Sequence, residues 1–586
     1  MASSKAPAPG RLVRSFIHSC LYDSGAGYFG SASSQVVSTM AAPINFPALR
    51  GESAYRGLLT DLYKEQDASS VGGGGGGEWF TPSELFRPHY SEALARYMVR
   101  EHIATRGDAE RSPPSAAPPL SPTSSPLTSS PITASATASG SASSPDSASA
   151  PLLTSNPASS EASSTSSADL APPLRIMEIG GGNGSNAAAI LDWVRARHPD
   201  LYADMDYTLV EISPSLAKRQ RARLSAAEHG DVARVLCQDA LSLEDDNAAC
   251  DGRGDGRGSG DGARGDAAEK TEGGAHAVAD HDVVRHADAD HERHHITEAA
   301  RRDPWFVLGL EVLDNLPHDK AVWDPVNEEW QETWVYEDEG RIGSSEGEGG
   351  REDGRGGVGG VGGVGEGDSG DNNDSAAATL AAAAAGGAPR EVLRPAEDDL
   401  ITRAIPYFAD KYIHTHPSGS SGSSARSRAS VGVPVEVFVP TGALQLLEML
   451  HRYLPKHKLL LADFNMLPPP DLGVWHDLRT LANRALGRAP PPPHNAPLVA
   501  SRDAGQGVTV DRPSYLDAAT SPADIFFPTD FTALADAYRA TTNGREMRVM
   551  TSREFLKAHA DVPGTTTRTG YNPLLEDFTN TRFALS

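Results

Sequence analysis

Leu174-Arg-Ile-Met-Glu-Ile-Gly-Gly-Gly-Asn-Gly-Ser185 begins as a short apolar run and ends as a glycine-rich turn. The apolar run predicts a strand, and the residues from Asn186 to Arg197 predict a helix with one apolar face. Gly180, Gly182 and Gly184 allow the backbone to turn tightly and to approach a ligand closely. The amides at the start of the helix favour a negative group such as a carboxylate. The stretch therefore predicts a strand, a ligand-binding turn and a helix in succession.

Strands and helices alternate beyond this stretch as well. The apolar runs that predict further strands are Met205 to Ile212, Arg234 to Gln238, Trp305 to Leu310 and Lys458 to Phe464. Helical spacing predicts helices over 9–30, 78–105, 213–224 and 441–454. This alternation predicts an α/β fold with a largely parallel sheet.

Segments of low complexity interrupt the alternation. Residues 106–173 are rich in Ser, Pro and Ala, residues 244–300 in Asp, Gly and His, and residues 337–394 in Gly and Glu. Such compositions bury too little apolar surface to offset chain entropy, so we expect disordered inserts in the loops of one fold. The expected organisation, in chain order, is an N-terminal helical cap (9–105), a disordered insert (106–173), a cofactor-binding core (174–336, with the insert 244–300), a second insert (337–394) and a substrate-side C-terminal portion (395–586).

The composition argues against several classes of protein. The 52 basic and 78 acidic residues give a net charge of −26, which argues against binding to a nucleic-acid backbone. Most of this charge lies in two of the inserts, so it says little about a substrate. Three cysteines cannot make a disulfide framework and show no metal spacing, and no apolar run is long enough to span a membrane. A His-rich tract at 276–295 lies in an insert, and we expect no metal site there because no scaffold would hold the ligands.

The N-terminus has the composition of a targeting segment. It lacks acidic residues before Asp23 and carries Lys5, Arg11 and Arg14 among Ser and Ala. This composition fits a mitochondrial transit segment. An ordinary first helix with a ragged start fits it equally well.

An acidic residue stands near the end of each of the next two predicted strands. Glu211 ends the second strand, where a carboxylate can accept both hydroxyls of a ribose, and Asp239 follows the third, where a side chain could meet an adenine amino group. Glu211 lies 31 positions after Gly180, farther than the roughly 20 of the dinucleotide fingerprint. The pattern predicts an S-adenosyl-L-methionine site made by Glu178, Gly180, Gly182, Gly184, Glu211 and Asp239.

A carboxylate pair lies at the end of the fourth strand, in Val307-Leu-Gly-Leu-Glu-Val-Leu-Asp-Asn-Leu-Pro-His318. In a doubly wound sheet this loop borders the switch point where ligands bind. Glu311 and Asp314 would suit a cationic substrate, because carboxylates match the donor fork of a guanidinium. They are therefore the candidate catalytic residues. In the alternative interpretation, Asp314 only caps the following turn and Glu311 is solvated.

Several stretches along the chain carry a family resemblance. They are Leu21-Tyr-Asp-Ser-Gly-Ala-Gly-Tyr-Phe29, Trp79-Phe-Thr-Pro-Ser-Glu84, Glu178-Ile-Gly-Gly-Gly-Asn-Gly184, Tyr207-Thr-Leu-Val-Glu-Ile-Ser-Pro-Ser-Leu216, Glu311-Val-Leu-Asp-Asn-Leu-Pro317, Ala462-Asp-Phe464, Asp530-Phe-Thr-Ala-Leu534 and Arg553-Glu-Phe-Leu556. Together they resemble the MidA family, whose mitochondrial members are complex I assembly factors and protein arginine methyltransferases. The chain departs from the family at Leu310, which replaces a polar residue, and at Asn465, which replaces a Gly.

The resemblance implies a class I methyltransferase, with a Rossmann-like α/β fold and S-adenosyl-L-methionine as cofactor. It also implies symmetric dimethylation of an arginine on a complex I subunit in the mitochondrial matrix, in support of complex I assembly. Glu311 and Asp314 would then orient the substrate guanidinium. Three alternatives stay open: a non-catalytic assembly chaperone that binds the cofactor, an oxidoreductase that uses NAD, and a methyltransferase for small molecules.

Overall fold

The protein is described from a computed structural model, which covers residues 10–23, 25–30, 36–71, 79–111, 172–243, 296, 298–337, 388–414, 433–473, 492–503 and 508–586. The predicted inserts and the His-rich tract therefore lie largely outside the described residues. The chain divides into two units, Met1–Val99 with Pro173–Ser586, and Arg100–Pro172. The sheets and the cavity described below lie in the first unit, and the second contains the C-terminal part of the helix His89–Arg111.

The elements are numbered in chain order. The strands are β1 (Arg11–Leu12), β2 (Arg175–Ile179), β3 (Asp206–Glu211), β4 (Ala233–Cys237), β5 (Trp305–Leu310), β6 (Asp319–Asp324), β7 (Glu329–Tyr336), β8 (Arg390–Pro395), β9 (Val435–Val439), β10 (His457–Phe464), β11 (Leu498–Asp503), β12 (Val508–Asp511), β13 (Asp524–Phe526), β14 (Arg548–Thr551) and β15 (Thr581–Leu585). The helices are α1 (Val13–Tyr22), α2 (Glu52–Val71), α3 (Pro82–Leu85), α4 (His89–Arg111), α5 (Ser185–Arg197), α6 (Pro199–Asp204), α7 (Pro214–Ala226), α8 (Glu298–Arg301), α9 (Asp399–Phe408), α10 (Asp410–His414), α11 (Thr441–Tyr453), α12 (Phe531–Thr541), α13 (Ser552–His559) and α14 (Pro573–Glu576).

A central sheet of seven strands organises the first unit, in the order β14-β15-β10-β5-β2-β3-β4. The strands from β10 to β4 run parallel, whereas β15 runs antiparallel to both of its neighbours. From β2 the chain adds β3 and β4 on one side, and it later adds β5 and β10 on the other. This reversal of strand order lies between β2 and β5 and creates a crevice at the carboxyl ends of the strands. The protein is thus a mixed α/β protein with a central sheet, as the alternation predicts.

Two antiparallel sheets accompany the central one. The first contains β1, β7, β6 and β9 in that order, with β8 also paired to β7, and the second has the order β12-β11-β13. Because β1 pairs with β7, the N-terminal portion is not purely helical, and the helix expected over 9–30 spans Val13–Tyr22. The predicted insert 337–394 contains all of β8 except Pro395, so β8 is a strand where the composition predicts disorder. The local pattern gives no sign that it pairs with β7.

Apolar side chains of the central strands alternate between two faces. Met177 of β2 belongs to a cluster with α9, α11 and α12, whereas Ile176 belongs to one with α4, α5 and α7. Helices therefore cover both faces of the sheet, as a parallel sheet requires. Among the described residues, no helix is both long and apolar enough to cross a membrane.

Candidate functional site

A cavity of about 390 Å³ opens at the carboxyl ends of the central strands. Its walls come from the ends of β2, β3, β5 and β10, from the turn after β4, and from N-terminal segments around α1 and α3. The sequence-predicted residues that line it are Glu178, Gly180, Gly182, Glu211, Asp239, Glu311 and Asp314. Gly184 does not line the cavity, because it packs against Gln220 of α7. The fold thus brings the predicted set to one place, with Gly184 behind the wall.

The glycine turn after β2 owes its shape to three left-handed residues. Gly180, Gly182 and Gly184 have φ angles of +67°, +52° and +75°, a region that residues with a side chain rarely adopt. At Gly181 an added Cβ would lie 2.7 Å from Cδ2 of Leu209 on β3. The backbone can therefore pass close to β3 and form the cavity wall only because these positions carry no side chain.

Glu178 at the end of β2 braces this turn. Its Oε1 accepts a hydrogen bond from Asn186 Nδ2 at 2.7 Å, and its Oε2 accepts one from the Tyr207 hydroxyl at 2.8 Å. Burial raises the pKa of Glu178, and the two hydrogen bonds oppose that rise. Both oxygens are engaged within the protein, so the direct cofactor contact that the sequence predicts for Glu178 stays a prediction.

Glu211 at the end of β3 places a buried carboxylate on the cavity wall. Its Oε1 accepts a hydrogen bond from Ser213 N–H at 2.9 Å, and its Oε2 accepts one from Gln220 Nε2 at 2.8 Å. Gln220 also donates to the Gly182 carbonyl at 2.9 Å, so it ties the glycine turn to the neighbouring strand. Burial raises the pKa of Glu211 to about 7. Each oxygen keeps a lone pair for one more donor, as binding of two ribose hydroxyls would need.

Asp239, which follows β4, has two contacts of its own. Its Oδ1 accepts a hydrogen bond from Leu241 N–H at 2.8 Å and caps the next turn. Its Oδ2 lies 3.4 Å from Nε2 of His18 on α1, and His18 itself lines the cavity. A ligand that reaches Asp239 therefore also meets a residue of the N-terminal helix.

The turn after β5 is held by a carboxylate from β10. Oδ2 of the fully buried Asp463 accepts the backbone N–H groups of Val312, Leu313 and Asp314 at 3.2, 2.8 and 3.2 Å. Its Oδ1 accepts the N–H of Phe464 at 2.7 Å. Capping of this turn thus falls to Asp463 rather than to Asp314. Burial raises the pKa of Asp463 to about 7, although the four amides pull it down.

Glu311 and Asp314 bring two further carboxylates to this side of the cavity. Glu311 has a φ of +52°, a left-handed conformation that is costly for a residue with a side chain. Burial, followed by the charges of Asp463 and Asp524, raises the pKa of Glu311 to about 8 and that of Asp314 well above its ordinary value. Asp314 is 4% exposed, and its Oδ1 has no hydrogen-bond partner among the described residues. Together with Asp463, the two candidate catalytic carboxylates therefore form one acidic cluster, in which Asp314 is buried and Glu311 is partly exposed to the cavity.

No Lys, Arg or His within the described part of the chain forms an ion pair with Glu311, Asp314 or Asp463. Groups that reach this side from other elements include two neutral phenols, Tyr22 of α1 and Tyr90 of α4. Without a cation such a cluster retains protons, and a bound cation favours its ionised form. The described residues contain no group of His, Cys, Asp and Glu arranged to hold a metal ion. The cluster is therefore suited to a positively charged group brought by a ligand.

Two N-terminal segments contact the glycine turn from above. Asn183 Nδ2 donates to the Val37 carbonyl and to Thr39 Oγ1, each at 2.9 Å. Ser185, the first residue of α5, donates its hydroxyl to the buried Glu84 of α3. This side of the cavity is thus built from parts of the chain that lie about a hundred residues or more apart in sequence.

No role is predicted from the sequence for Asp463, His18 or Tyr90, although each lines or supports the cavity. Asp463 carries a usable signal, because it is a lone carboxylate near the end of an apolar parallel strand, as Glu211 is. His18 and Tyr90 carry none, because they lie on helices whose placement over the sheet is not encoded in a local pattern.

Comparison with known proteins gives one family match. Residues 161–549 match the model of a family described as "Putative S-adenosyl-L-methionine-dependent methyltransferase". A crystal structure of a COG1565 superfamily member from Burkholderia thailandensis, bound to S-adenosyl-homocysteine, aligns over 98% of this chain and 88% of that one, with 13% identity and a TM-score of 0.41. A native structure of a COG1565 superfamily protein from the same organism aligns over 98% and 87%, with 13% identity and a TM-score of 0.40. A search among curated proteins found no significant match.

Proposed function

Because the chain belongs to this family of S-adenosyl-L-methionine-dependent methyltransferases, we propose that it transfers a methyl group to a guanidinium nitrogen of a protein arginine. Family membership supplies the reaction class and the cofactor. The acceptor is the part that the cavity has to explain.

The observation that supports a guanidinium as the methyl acceptor is the acidic cluster without a counter-ion among the described residues. Glu311, Asp314 and Asp463 converge beside the cavity, and none of them pairs with a cation of the described residues. The buried Oδ1 of Asp314 also lacks a hydrogen-bond partner there. A guanidinium supplies both the charge and a fork of N–H donors that carboxylates match.

The residues on the other side of the switch point fit the cofactor. The glycine turn passes close to β3 without side chains, and Glu211 offers a carboxylate with a spare lone pair on each oxygen. In this proposal the Gly180–Gly184 turn and the start of α5 hold the methionine portion, Glu211 holds the ribose and Asp239 meets the adenine. The cofactor supplies an electrophilic methyl group on its sulfonium when bound.

The acidic cluster would then orient the substrate guanidinium and accept the proton that it loses. Glu311 and Asp314 accept N–H groups of the guanidinium and hold one nitrogen toward the cofactor side. That nitrogen gains a bond to carbon and loses one proton. The cluster carboxylates are the nearby groups able to accept it.

We extend the proposal to a class I, Rossmann-like fold and to a complex I subunit in the mitochondrial matrix. The doubly wound strand order from β10 to β4 supports the fold assignment. The substrate protein, the compartment and a role in complex I assembly rest on the resemblance to the MidA family and on the N-terminal composition.

The test is transfer of labelled methyl from S-adenosyl-L-methionine into a mitochondrial protein extract, followed by amino-acid analysis for methylated arginine. We expect Glu311→Gln to bind S-adenosyl-homocysteine normally and to lower transfer about a hundredfold. The matched control is Glu546→Gln, an exposed carboxylate outside the cavity wall, which should leave transfer unchanged.

Each alternative predicts a different result. Binding of S-adenosyl-homocysteine without any transfer would favour the non-catalytic chaperone. Label in small molecules rather than protein would favour the small-molecule enzyme. Calorimetric binding of NAD but not of S-adenosyl-homocysteine would favour the oxidoreductase and overturn the proposal.

A further inference from the structure

Tyr90 of α4 places an unpartnered hydroxyl on the cavity wall. The side chain is 5% exposed and lines the cavity. Its hydroxyl makes no hydrogen bond to any residue that the structure describes. A buried tyrosine hydroxyl usually finds a partner, so a group that enters the cavity is the natural candidate.

Packing places this hydroxyl on the acidic side of the cavity. The Tyr90 ring packs against Phe583 of β15, with ring centroids 6.4 Å apart. Phe583 is paired in register with Ala462 of β10, which is paired with Leu310 of β5, the residue before Glu311. Tyr90 therefore lies over the strands that end in the acidic cluster.

Electrostatics agree with this position. Burial, followed by the charges of Glu311 and Asp463, raises the pKa of the Tyr90 hydroxyl. The phenol therefore stays neutral over the whole working range of pH. The two charges that raise this pKa, those of Glu311 and Asp463, belong to the acidic cluster. The hydrogen-bond partner of the Tyr90 hydroxyl is therefore expected on the side of the cavity that holds the acidic cluster.

We propose that the Tyr90 hydroxyl binds the substrate group that is methylated. Its oxygen accepts a hydrogen bond from an N–H of the cationic group that Glu311 and Asp314 hold. This inference rests on the proposed function, because it takes a guanidinium in the acidic cluster as given. A guanidinium has five N–H donors. Two carboxylates on one side of it cannot accept hydrogen bonds from all five. A neutral acceptor serves a further N–H without adding negative charge to an already crowded cluster.

The test compares Tyr90→Phe with the wild-type chain. The substitution removes one oxygen and keeps the ring that packs against Phe583, so the fold should persist. Tyr97→Phe is the matched control, because Tyr97 lies on the same helix, is buried and does not line the cavity. The probe is transfer of labelled methyl to an acetyl-Gly-Arg-Gly-amide peptide and to a mitochondrial protein extract. Calorimetry with S-adenosyl-homocysteine and thermal melting accompany it.

We expect Tyr90→Phe to lower kcat/KM for the acceptor about ten- to a hundredfold, the effect of one hydrogen bond to a charged group. Affinity for S-adenosyl-homocysteine should stay within about twofold of wild type, as expected if the hydroxyl serves the acceptor alone. Tyr97→Phe should match wild type in both measurements.

Three results would overturn the inference. Equal transfer by Tyr90→Phe and wild type would remove the acceptor contact and leave the proposed function standing. A loss of S-adenosyl-homocysteine affinity in Tyr90→Phe would make the hydroxyl a cofactor contact instead. Failure of the wild-type chain to label arginine in either probe would overturn the proposed function and this inference together.

Discussion

Replacement of Asp463 by Ala should destabilise the protein more than any other single carboxylate substitution near the cavity. Asp463 is 0% exposed and accepts four backbone N–H groups, three from the turn after β5 and one from Phe464. Ala removes all four acceptor contacts and leaves the amides without a partner inside the protein.

The size of the effect follows from these four amides. A buried donor left unsatisfied costs about 1–3 kcal/mol. Since water can enter the space left by the side chain, the lower value applies, and the total is about 4 kcal/mol. Asp463→Asn keeps one carbonyl oxygen for the turn but sets an NH₂ group against the Phe464 amide, so we expect a loss of about 1–2 kcal/mol.

Urea denaturation followed by circular dichroism measures both values, with Asp536→Ala as the control. Asp536 is half exposed and, among the residues that the structure describes, forms an ion pair with Arg539 of the same helix alone. Its loss should therefore change stability by less than about 1 kcal/mol. If Asp463→Ala stays within about 1 kcal/mol of wild type, the four amides do not depend on this carboxylate, and its capping role is refuted.

The remaining predictions concern pH, the glycine turn and its brace. Burial raises the pKa of Glu211 to about 7 and that of Glu311 to about 8, so between about pH 4.5 and pH 8 the folded chain holds protons that the unfolded chain releases. Stability should therefore fall as pH rises through this range, and Glu311→Gln should flatten the fall, as urea midpoints at several pH values would show; an unchanged slope would count against the buried protons. Gly184→Ala should cost about 1–2 kcal/mol, because Gly184 has a φ of +75° and an added Cβ would lie 3.3 Å from Cα of Gln220. Gly57→Ala in the exposed part of α2, where nothing lies within 4 Å, should instead stabilise by about 0.5–1 kcal/mol; equal effects on melting would contradict this reasoning. Gln220→Leu removes a hydrogen-bond donor from both Glu211 and the Gly182 carbonyl, so calorimetry should show about tenfold weaker binding of S-adenosyl-homocysteine. Unchanged affinity would show that cofactor binding does not depend on these two hydrogen bonds.

The local pattern is informative where neighbours in sequence are also neighbours in space. The stretch ending at Ser185 fixes its own strand, turn and helix, and β5 has the bounds that its apolar run predicts. Because the carboxyl ends of parallel strands lie at one edge of a sheet, the same pattern predicts that Glu211 and Glu311 line one cavity, as they do.

The rest depends on pairings that no local pattern contains. β7 pairs with β1 and β8, which lie hundreds of residues apart in sequence. His18 lies near Asp239 only because α1 packs near the carboxyl ends of the central strands. Asp463 accepts the Asp314 N–H only because β10 pairs with β5. These contacts are fixed by long-range packing, which hydrophobic periodicity does not specify.

The backbone of Glu311 makes this position a point where two selective pressures oppose each other. Its left-handed conformation costs about 1–2 kcal/mol for any residue that has a Cβ, and glycine would adopt it freely. A library screened for heat resistance alone should therefore drift toward glycine at 311, while one screened for catalysis should retain the carboxylate. Sequencing position 311 in both libraries would show whether selection for stability and selection for catalysis favour different residues there.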